Sequence, residues 1–417
     1  MSNLVSDGWK KVTLNQVVDR IRTIVNGEPE NVLTISSTGG WVDQRQKWAR
    51  DMAGESLKKY THLETGELSY NRGNSKTYPY GCVFKLKNWT SAAVPNVYHS
   101  FRTKEDMIDA SFIEYAFHSG VFDKQLSQII TSSARANGLL NITAKDFFDL
   151  ELLVPPLPEQ KKIAAILTSV DDVIEKTQAQ IDKLKDLKTG MMQELLTRGV
   201  GVDGKPHTEF KDSSVGKIPK GWDCCLLDKV AKRGSGHTPD KKKPEYWNDG
   251  VKWVSLTDSS KLDKLYISDT AKKISQLGIE NSSATLHPKG TVVMARDAGV
   301  GKSAIMTSSM AVSQHFMAWV CGEKLDNYFL YYLLQHWKPQ FEAIAMGSTI
   351  KTIGLPYFKK LQIPVPSIEE QRVISGALKS VDNKMFALER KHKQLTSTKK
   401  ALMQDLLTGK VRVKVEG

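Results

Sequence analysis

The sequence predicts an α+β protein in which two pseudo-repeated globular domains are each followed by a long helix, with the two helices pairing as an antiparallel coiled coil. Three observations carry this expectation: a gapless internal repeat, an apolar seam through both copies of it, and a looser duplication of the residues ahead of each copy.

The repeat is the most specific of the three. Residues 154–199 align with residues 365–410 at a constant offset of 211, and 16 of the 46 positions are identical. The matches include Pro155/Pro366, Glu159/Glu370, Gln160/Gln371, Val170/Val381, Asp171/Asp382 and the block Met-Gln-acid-Leu-Leu-Thr at 192–197 and 403–408. Two copies so far apart indicate a duplicated module of about half the chain, because solenoid repeats recur every 20–50 residues.

Each copy reads as one helix. Prolines precede it, Pro158 suits a first helical turn in the first copy, Ser367 with Glu370 forms a capping box in the second, and Gly199 and Gly409 stand where helices end. Apolar residues fall at Ile163, Leu167, Val170, Ile174, Ile181 and Leu184, and at Ile374, Leu378, Val381, Met385, Leu388 and Leu395. Alternating steps of three and four make this a heptad seam. A helix of about 40 residues is roughly 60 Å long, too long for a small globule to enclose, so the simplest partner for one seam is the other. An antiparallel pair built on the two-fold of the repeat sets opposite each other positions whose numbers sum to about 569. The alternative is that each helix packs separately on its own domain.

Ahead of each helix, GWKKVTLNQV (8–17) matches GWDCCLLDKV (221–230). Within the domains, GELSYNRGNSK (66–76) parallels GTVVMARDAGVGK (290–302), each a strand ending in Arg72 or Arg296 before a turn of small and polar residues. The second turn closes on Gly301-Lys302-Ser303, as a phosphate-binding loop does. That loop also requires a glycine five positions earlier and a helix directly after. Position 296 is Arg, and the residues after Lys302 are β-branched and Ser-rich, so the segment reads as a hairpin.

Composition bounds the rest. The 417 residues allow two to three domains, and no apolar run approaches the roughly 18 residues that would span a bilayer. The N-terminus has no apolar signal region, and the four cysteines include no CxxC pair, so a cytoplasmic protein without membrane association is expected. Net charge is +13, divided as +1 over residues 1–158, zero over 159–199, +7 over 200–366 and +5 over 367–417. A polyanionic partner fits this excess.

The helix openings VPPLPEQKKIA and SIEEQRVI, the helix ends MQELLTRG and MQDLLTGK, the turn GSGHTP (234–239) and the hairpin MARDAGVGKSAIM (294–306) resemble those of specificity subunits of type I restriction-modification enzymes, over essentially the whole chain. The resemblance implies two target-recognition domains, 1–158 and 200–366, each reading one half of a bipartite DNA sequence. It implies a central spacer helix at 159–199, a distal one at 367–410 and a short tail at 411–417. The helices would set the spacer and dock two methyltransferase subunits, and through them restriction and translocase subunits. S-adenosylmethionine, ATP and Mg would then belong to the partner subunits, with no cofactor on this chain. The two domains differ outside the motifs, which implies an asymmetric target.

Direct readout needs Arg for guanine, Asn or Gln for adenine, and Lys, Ser, Thr or backbone amides for phosphates. The two turns supply that mixture. Candidates for contact with double-stranded DNA are Asn71, Arg72, Asn74, Ser75, Lys76 and Tyr78 in the first domain, and His237, Thr238, Lys242, Arg296, Lys302, Ser303 and Lys351 in the second.

Catalysis by the chain itself is not expected. The only Pro-Pro lies in VPPL, so the Asn/Asp-Pro-Pro-aromatic tetrapeptide of amino-methyltransferases is missing. His99, His118, His315 and His336 follow no metal-ligand spacing and read as structural. Two readings from other classes stand beside this one: a P-loop NTPase, which ATP hydrolysis by the purified chain would reveal, and a coiled-coil structural protein that binds DNA weakly and without sequence preference.

Overall fold

The computed structural model describes all residues except 1–7, 28, 37–38, 46–53, 74–76, 131–138, 348–350 and 416–417. The chain forms two compact units, Met1–Thr177 with Lys391–Gly417, and Gln178–Arg390.

In the first unit, strand Lys10–Thr13 pairs antiparallel with Glu151–Val154, which brings the start of the domain beside the residues that lead into the first long helix. A four-stranded sheet orders its strands Val18–Arg20, His99–Thr103, Leu68–Asn71 and Cys82–Lys85. Helix Ala110–Ser119, capped by the Asp109 carboxylate at Phe112 N, covers it. Phe101, Phe112, Phe122 and Phe147 fill the core between them.

The second unit repeats this plan. Asp223–Leu226 pairs antiparallel with Gln362–Val365 ahead of the second long helix. Strands Ala231–Ser235, Phe316–Cys321, Val292–Ala295 and Ser303–Met306 follow the order of the first sheet, with Tyr266–Ile267 added at the edge. Helix Asn327–His336 is capped by Asp326 as its counterpart is by Asp109. A further sheet of Lys272–Ile274, Trp247–Val254, Met310–Val312 and Leu286–His287 occurs in this unit.

The long helices run over Leu157–Leu195 and Ile368–Leu406, 39 residues each. Gly199 and Gly409 follow at φ 69° and 71°, the left-handed conformation in which helices end. Glycine is required at 199, where a Cβ would lie 2.5 Å from the Trp222 ring. The capping box at Ser367 forms only by half. Glu370 N donates to Ser367 Oγ, but the Glu370 carboxylate takes hydrogen bonds from Trp222 Nε1, His207 Nε2 and Val200 N instead of returning to the helix cap. A fully buried indole N–H and two further donors outcompete one terminal amide.

Each unit contains parts of both helices. In the first, Ile163 and Leu167 share a core with Met403, Leu406 and Leu407. In the second, Ile374 and Leu378 share one with Leu196, flanked by Met191, Met192 and Leu195. In each unit the opening of one long helix and the end of the other thus share the core of the domain.

Candidate nucleic-acid interface

The two strands that end in arginine each belong to a hairpin. Leu68–Asn71 pairs with Cys82–Lys85 and Val292–Ala295 with Ser303–Met306, both antiparallel. The Gly-Lys-Ser sequence thus enters a strand, not a helix. Ala298, Gly299 and Gly301 all have positive φ, so the main chain folds back tightly, and Gly301 N and Lys302 N donate to Ala295 O and Gly299 O inside the turn. These amides are spent on the turn itself.

At the end of each strand the guanidinium joins three stretches of chain. Arg72 Nε donates to Val97 O at 2.9 Å and Nη1 to Ile142 O at 3.2 Å. Arg296 Nε donates to Gln314 O at 3.1 Å and Nη1 to Ile353 O at 3.2 Å. The main chain repeats the same joins, with Leu140 N donating to Arg72 O and Ile353 N to Arg296 O, and with isolated bridges Gly73↔Leu139 and Asp297↔Thr352. In both units one arginine braces the hairpin, the loop before the next strand and the segment leading to the last short helix. The sequence suggests these side chains for guanine; in the structure two donors of each are committed to carbonyls of their own unit.

The other candidates divide by exposure. His237, Lys242 and Lys351 are exposed, and Thr238 and Lys302 are half-buried. His237 N donates to Val312 O and Ala298 N to Lys351 O, which ties both stretches to the same edge. Lys302 Nζ lies 3.4 Å from Ser259 Oγ. Ser303 must be set aside as a phosphate contact. It is fully buried as the first residue of its strand, and its hydroxyl accepts from Gln335 Nε2 at 2.8 Å. In the first unit, Asn71 is half-buried and its Oδ1 accepts from Gly73 N, an Asx turn that shapes the loop. Tyr78 packs edge-on against Phe84, and burial raises its phenol pKa. Asn74, Ser75 and Lys76 lie outside the described residues.

Sequence reasoning passed over Gln314, which no motif marks, and read His315 as structural. Thr238 Oγ1 donates to Gln314 Oε1 at 2.6 Å, Gln314 Nε2 lies 3.4 Å from His315 Nε2, and His315 Nδ1 lies 2.7 Å from Asp297 Oδ2. The other histidines are structural in setting. His99 is buried, stacks on Tyr70, and has its pKa pushed down to about 4 by burial and by Arg72. His118 lies 2.8 Å from Val83 O, and burial lowers its pKa and that of His336. Among the described residues no cluster of His, Cys, Asp or Glu could hold a metal ion.

The helices carry a second set of duplicated contacts. Gln160 Oε1 accepts from Asp109 N while its Nε2 donates to Met107 O and Pro155 O. Gln371 does the same with Asp326 N, Lys324 O and Pro366 O. Each glutamine thus staples a helix opening to the N-cap of the domain's own helix. In the first unit Asp171 takes a hydrogen bond from Tyr115 and pairs with Lys399 at 2.6 Å; in the second Asp382 takes one from Tyr332 and pairs with Lys188 at 2.7 Å. Each lysine also lies over the ring of that tyrosine. The numbers of both Asp–Lys pairs add to 570, beside the 569 read from the repeat. Of the seam residues, Ile163, Leu167, Ile181, Ile374, Leu378 and Val381 are buried, and Val170, Ile174, Leu184, Met385, Leu388 and Leu395 are half-buried. Leu187 and Phe386, off the seam, are exposed. Among the described residues no helix is long and apolar enough to cross a membrane.

A family model described as the type I restriction modification DNA specificity domain matches residues 64–186 and again 219–396. The type I restriction enzyme MjaVIII specificity subunit of Methanocaldococcus jannaschii is 30% identical over 322 residues, spanning 75% of this chain and 72% of the relative. The type I restriction enzyme HindI specificity subunit of Haemophilus influenzae is 22% identical over 197 residues, 46% of this chain and 42% of the relative. Among solved structures, the S subunit of a type I restriction-modification system from M. genitalium superposes with a TM-score of 0.62 at 14% identity, covering 98% of this chain and 97% of that one. A chain from a type I R-M system solved for its complex assembly and conformational transition gives 0.55 at 16% identity, covering 98% and 99%. At these identities the superpositions show a shared fold.

Proposed function

Because the chain belongs to the type I restriction-modification DNA specificity family, and is itself a non-catalytic DNA-recognition subunit, we propose that its two domains, residues 1–158 and 200–366, each read one half of a bipartite, asymmetric target in double-stranded DNA. The observation that carries this reading is that one specificity-domain model matches two separate stretches of a chain whose hairpins, arginine braces and helix staples are duplicated. A single reader needs one such edge; two edges of unlike surface chemistry fit two unlike half-sites.

In this reading His237, Thr238, Lys242, Lys302 and Lys351 contribute to the DNA edge of the second domain, and Asn74, Ser75 and Lys76 to that of the first. Lysines contact phosphates and give affinity, whereas polar side chains at base edges give sequence preference. Arg72 and Arg296 act through the loops that they brace. The long helices, 159–199 and 367–410, set the spacer between the half-sites and dock two methyltransferase subunits, which in turn hold restriction and translocase subunits. S-adenosylmethionine, ATP and Mg are cofactors of those partners.

Exchanging residues 1–158 for the matching domain of a relative tests the reading. The hybrid is expected to change one half of the selected DNA sequence and keep the other. A hybrid in which both halves change together, or neither does, would refute the two-reader arrangement.

A further inference from the structure

Each arginine brace holds two carbonyls, one of them an isoleucine's in both units, Ile142 or Ile353, and the other on a side chain that differs between the units. Arg72 holds Val97 O and Arg296 holds Gln314 O, each two residues before the strand that pairs with the arginine's own. Val97 is 37% exposed although it is apolar, and it stands between exposed Asn96 and buried Tyr98 just ahead of the strand. Gln314 is exposed between buried Ser313 and half-buried His315. A device that fixes the main chain in the same way twice, and presents an apolar side chain in one place and an amide in the other, holds position constant and varies chemistry.

The Gln314 amide is already oriented. Its Oε1 accepts the Thr238 hydroxyl, and its Nε2 faces His315 Nε2. In the neutral tautomer that gives its Nδ1–H to the Asp297 carboxylate, His315 Nε2 accepts one amide hydrogen of Gln314. A glutamine has two acceptor lone pairs and two donor hydrogens, so one of each remains. One donor and one acceptor side by side match adenine in the major groove, whose N7 accepts and N6 donates. Val97 offers no hydrogen bond and suits the C5-methyl of thymine.

We infer that Val97 and Gln314 are corresponding specificity-determining residues, each presented to a base edge by the arginine that holds its carbonyl, with Gln314 reading adenine and Val97 reading thymine. Arg72 and Arg296 are positioning residues. The inference rests on the proposal that each domain reads one half-site.

The test is selection of the full-length chain on a library of randomised DNA duplexes, followed by sequencing. Gln314→Val is expected to lower the preference for adenine at one position of one half-site by roughly 5- to 150-fold, the range of a good base contact, and to leave the other half-site unchanged. Val97→Gln should replace thymine by adenine at one position of the other half-site. Gln314→Asn, one methylene shorter, should weaken the same adenine preference as Gln314→Val, which settles the matter if the valine variant folds poorly. Arg296→Lys should flatten preferences across its own half-site alone, whereas a role confined to general stability would weaken both halves alike. If the wild-type chain selects a bipartite site and neither Gln314 nor Val97 substitution moves any base preference by more than twofold, this inference is wrong and the two-reader proposal stands. If the wild-type chain selects no sequence at all, the proposal itself fails.

Discussion

Replacing Gln371 by Ala removes one buried side chain that closes three hydrogen bonds at the junction of a long helix with its domain. The glutamine is fully buried, accepts from Asp326 N at 2.8 Å, and donates to Lys324 O at 3.0 Å and Pro366 O at 2.9 Å. Each such bond contributes about 0.5–1.5 kcal/mol net, and the loss is nearer the upper figure when the partners stay buried and unpaired. The substitution should therefore cost about 3–4 kcal/mol. For a unit of roughly 200 residues, each kcal/mol moves the midpoint by about 2–4 °C, so calorimetry of the full chain should show a fall of roughly 6–16 °C. Gln371→Met fills the same space without the hydrogen bonds and should resemble Gln371→Ala within about 1 kcal/mol. A Met variant as stable as wild type would show that volume, not hydrogen bonding, makes this position matter. Gln160, which makes the same three contacts in the other unit, should respond alike when changed to Ala.

Two further outcomes follow from the helices. The Arg412 guanidinium, with help from Val413 N–H, holds the Glu159 carboxyl below the usual glutamate range. A depressed folded-state pKa stabilises the protein above the unfolded value and ceases to do so as pH falls through the folded one. Thermal midpoints of wild type and Glu159→Gln should thus differ at neutral pH and converge below about pH 4; a constant difference across that range would contradict the assignment. Inserting one heptad after Thr177 and one after Leu388 keeps both seams in phase and lengthens each helix by roughly 10.5 Å. That matches about three base pairs in length, but three pairs also turn the groove by roughly 100° while a heptad drifts by only ~20°. The variant should fold, lose tight binding to its original site, and recognise a longer spacer weakly at best; undiminished preference for the original spacer in a binding series would refute the role of the helices as a ruler.

The helices were legible because their signal is periodic and printed twice. Pro, Gln and Asp recur at one offset, and Gly199 and Gly409 mark ends that the backbone reaches in the left-handed conformation. What the recurring residues do was not legible. Gln160 and Glu159 are neighbours in one motif, yet the first staples a helix cap and the second pairs with Arg412, 253 positions away. The candidate site was legible as a pair of turns and much less so as side chains. Exposure separates Lys351 from Ser303, and nothing local to Ser303 announces that it opens a buried strand against Gln335. Arginine at the end of a strand invites a base contact because its fork suits guanine; the same fork suits two carbonyls, and only the fold brings Gln314 O and Ile353 O within its reach. Gln314 itself carries no charge and belongs to no repeat, and its partner Thr238 lies 76 positions away.

The contrast between what is repeated and what is not bears on how such a chain can change its target. The repeated residues are those whose loss would leave buried groups unpaired: the glutamine staples, the Asp–Lys–Tyr sets and the arginine braces. Of the carbonyls that those braces hold, those of Ile142 and Ile353 are repeated and those of Val97 and Gln314 are not. Val97 answers to Gln314, buried Tyr98 to half-buried His315, and Gly73 to Asp297. A buried hydrogen-bonded framework tolerates substitution poorly, at about 1–3 kcal/mol for each orphaned group, whereas exposed side chains on a fixed main chain change for a few tenths. Surface chemistry at the braced loops can therefore drift freely while the frame cannot. On the two-reader proposal, two copies of one frame can come to read unlike half-sites without either domain losing its fold.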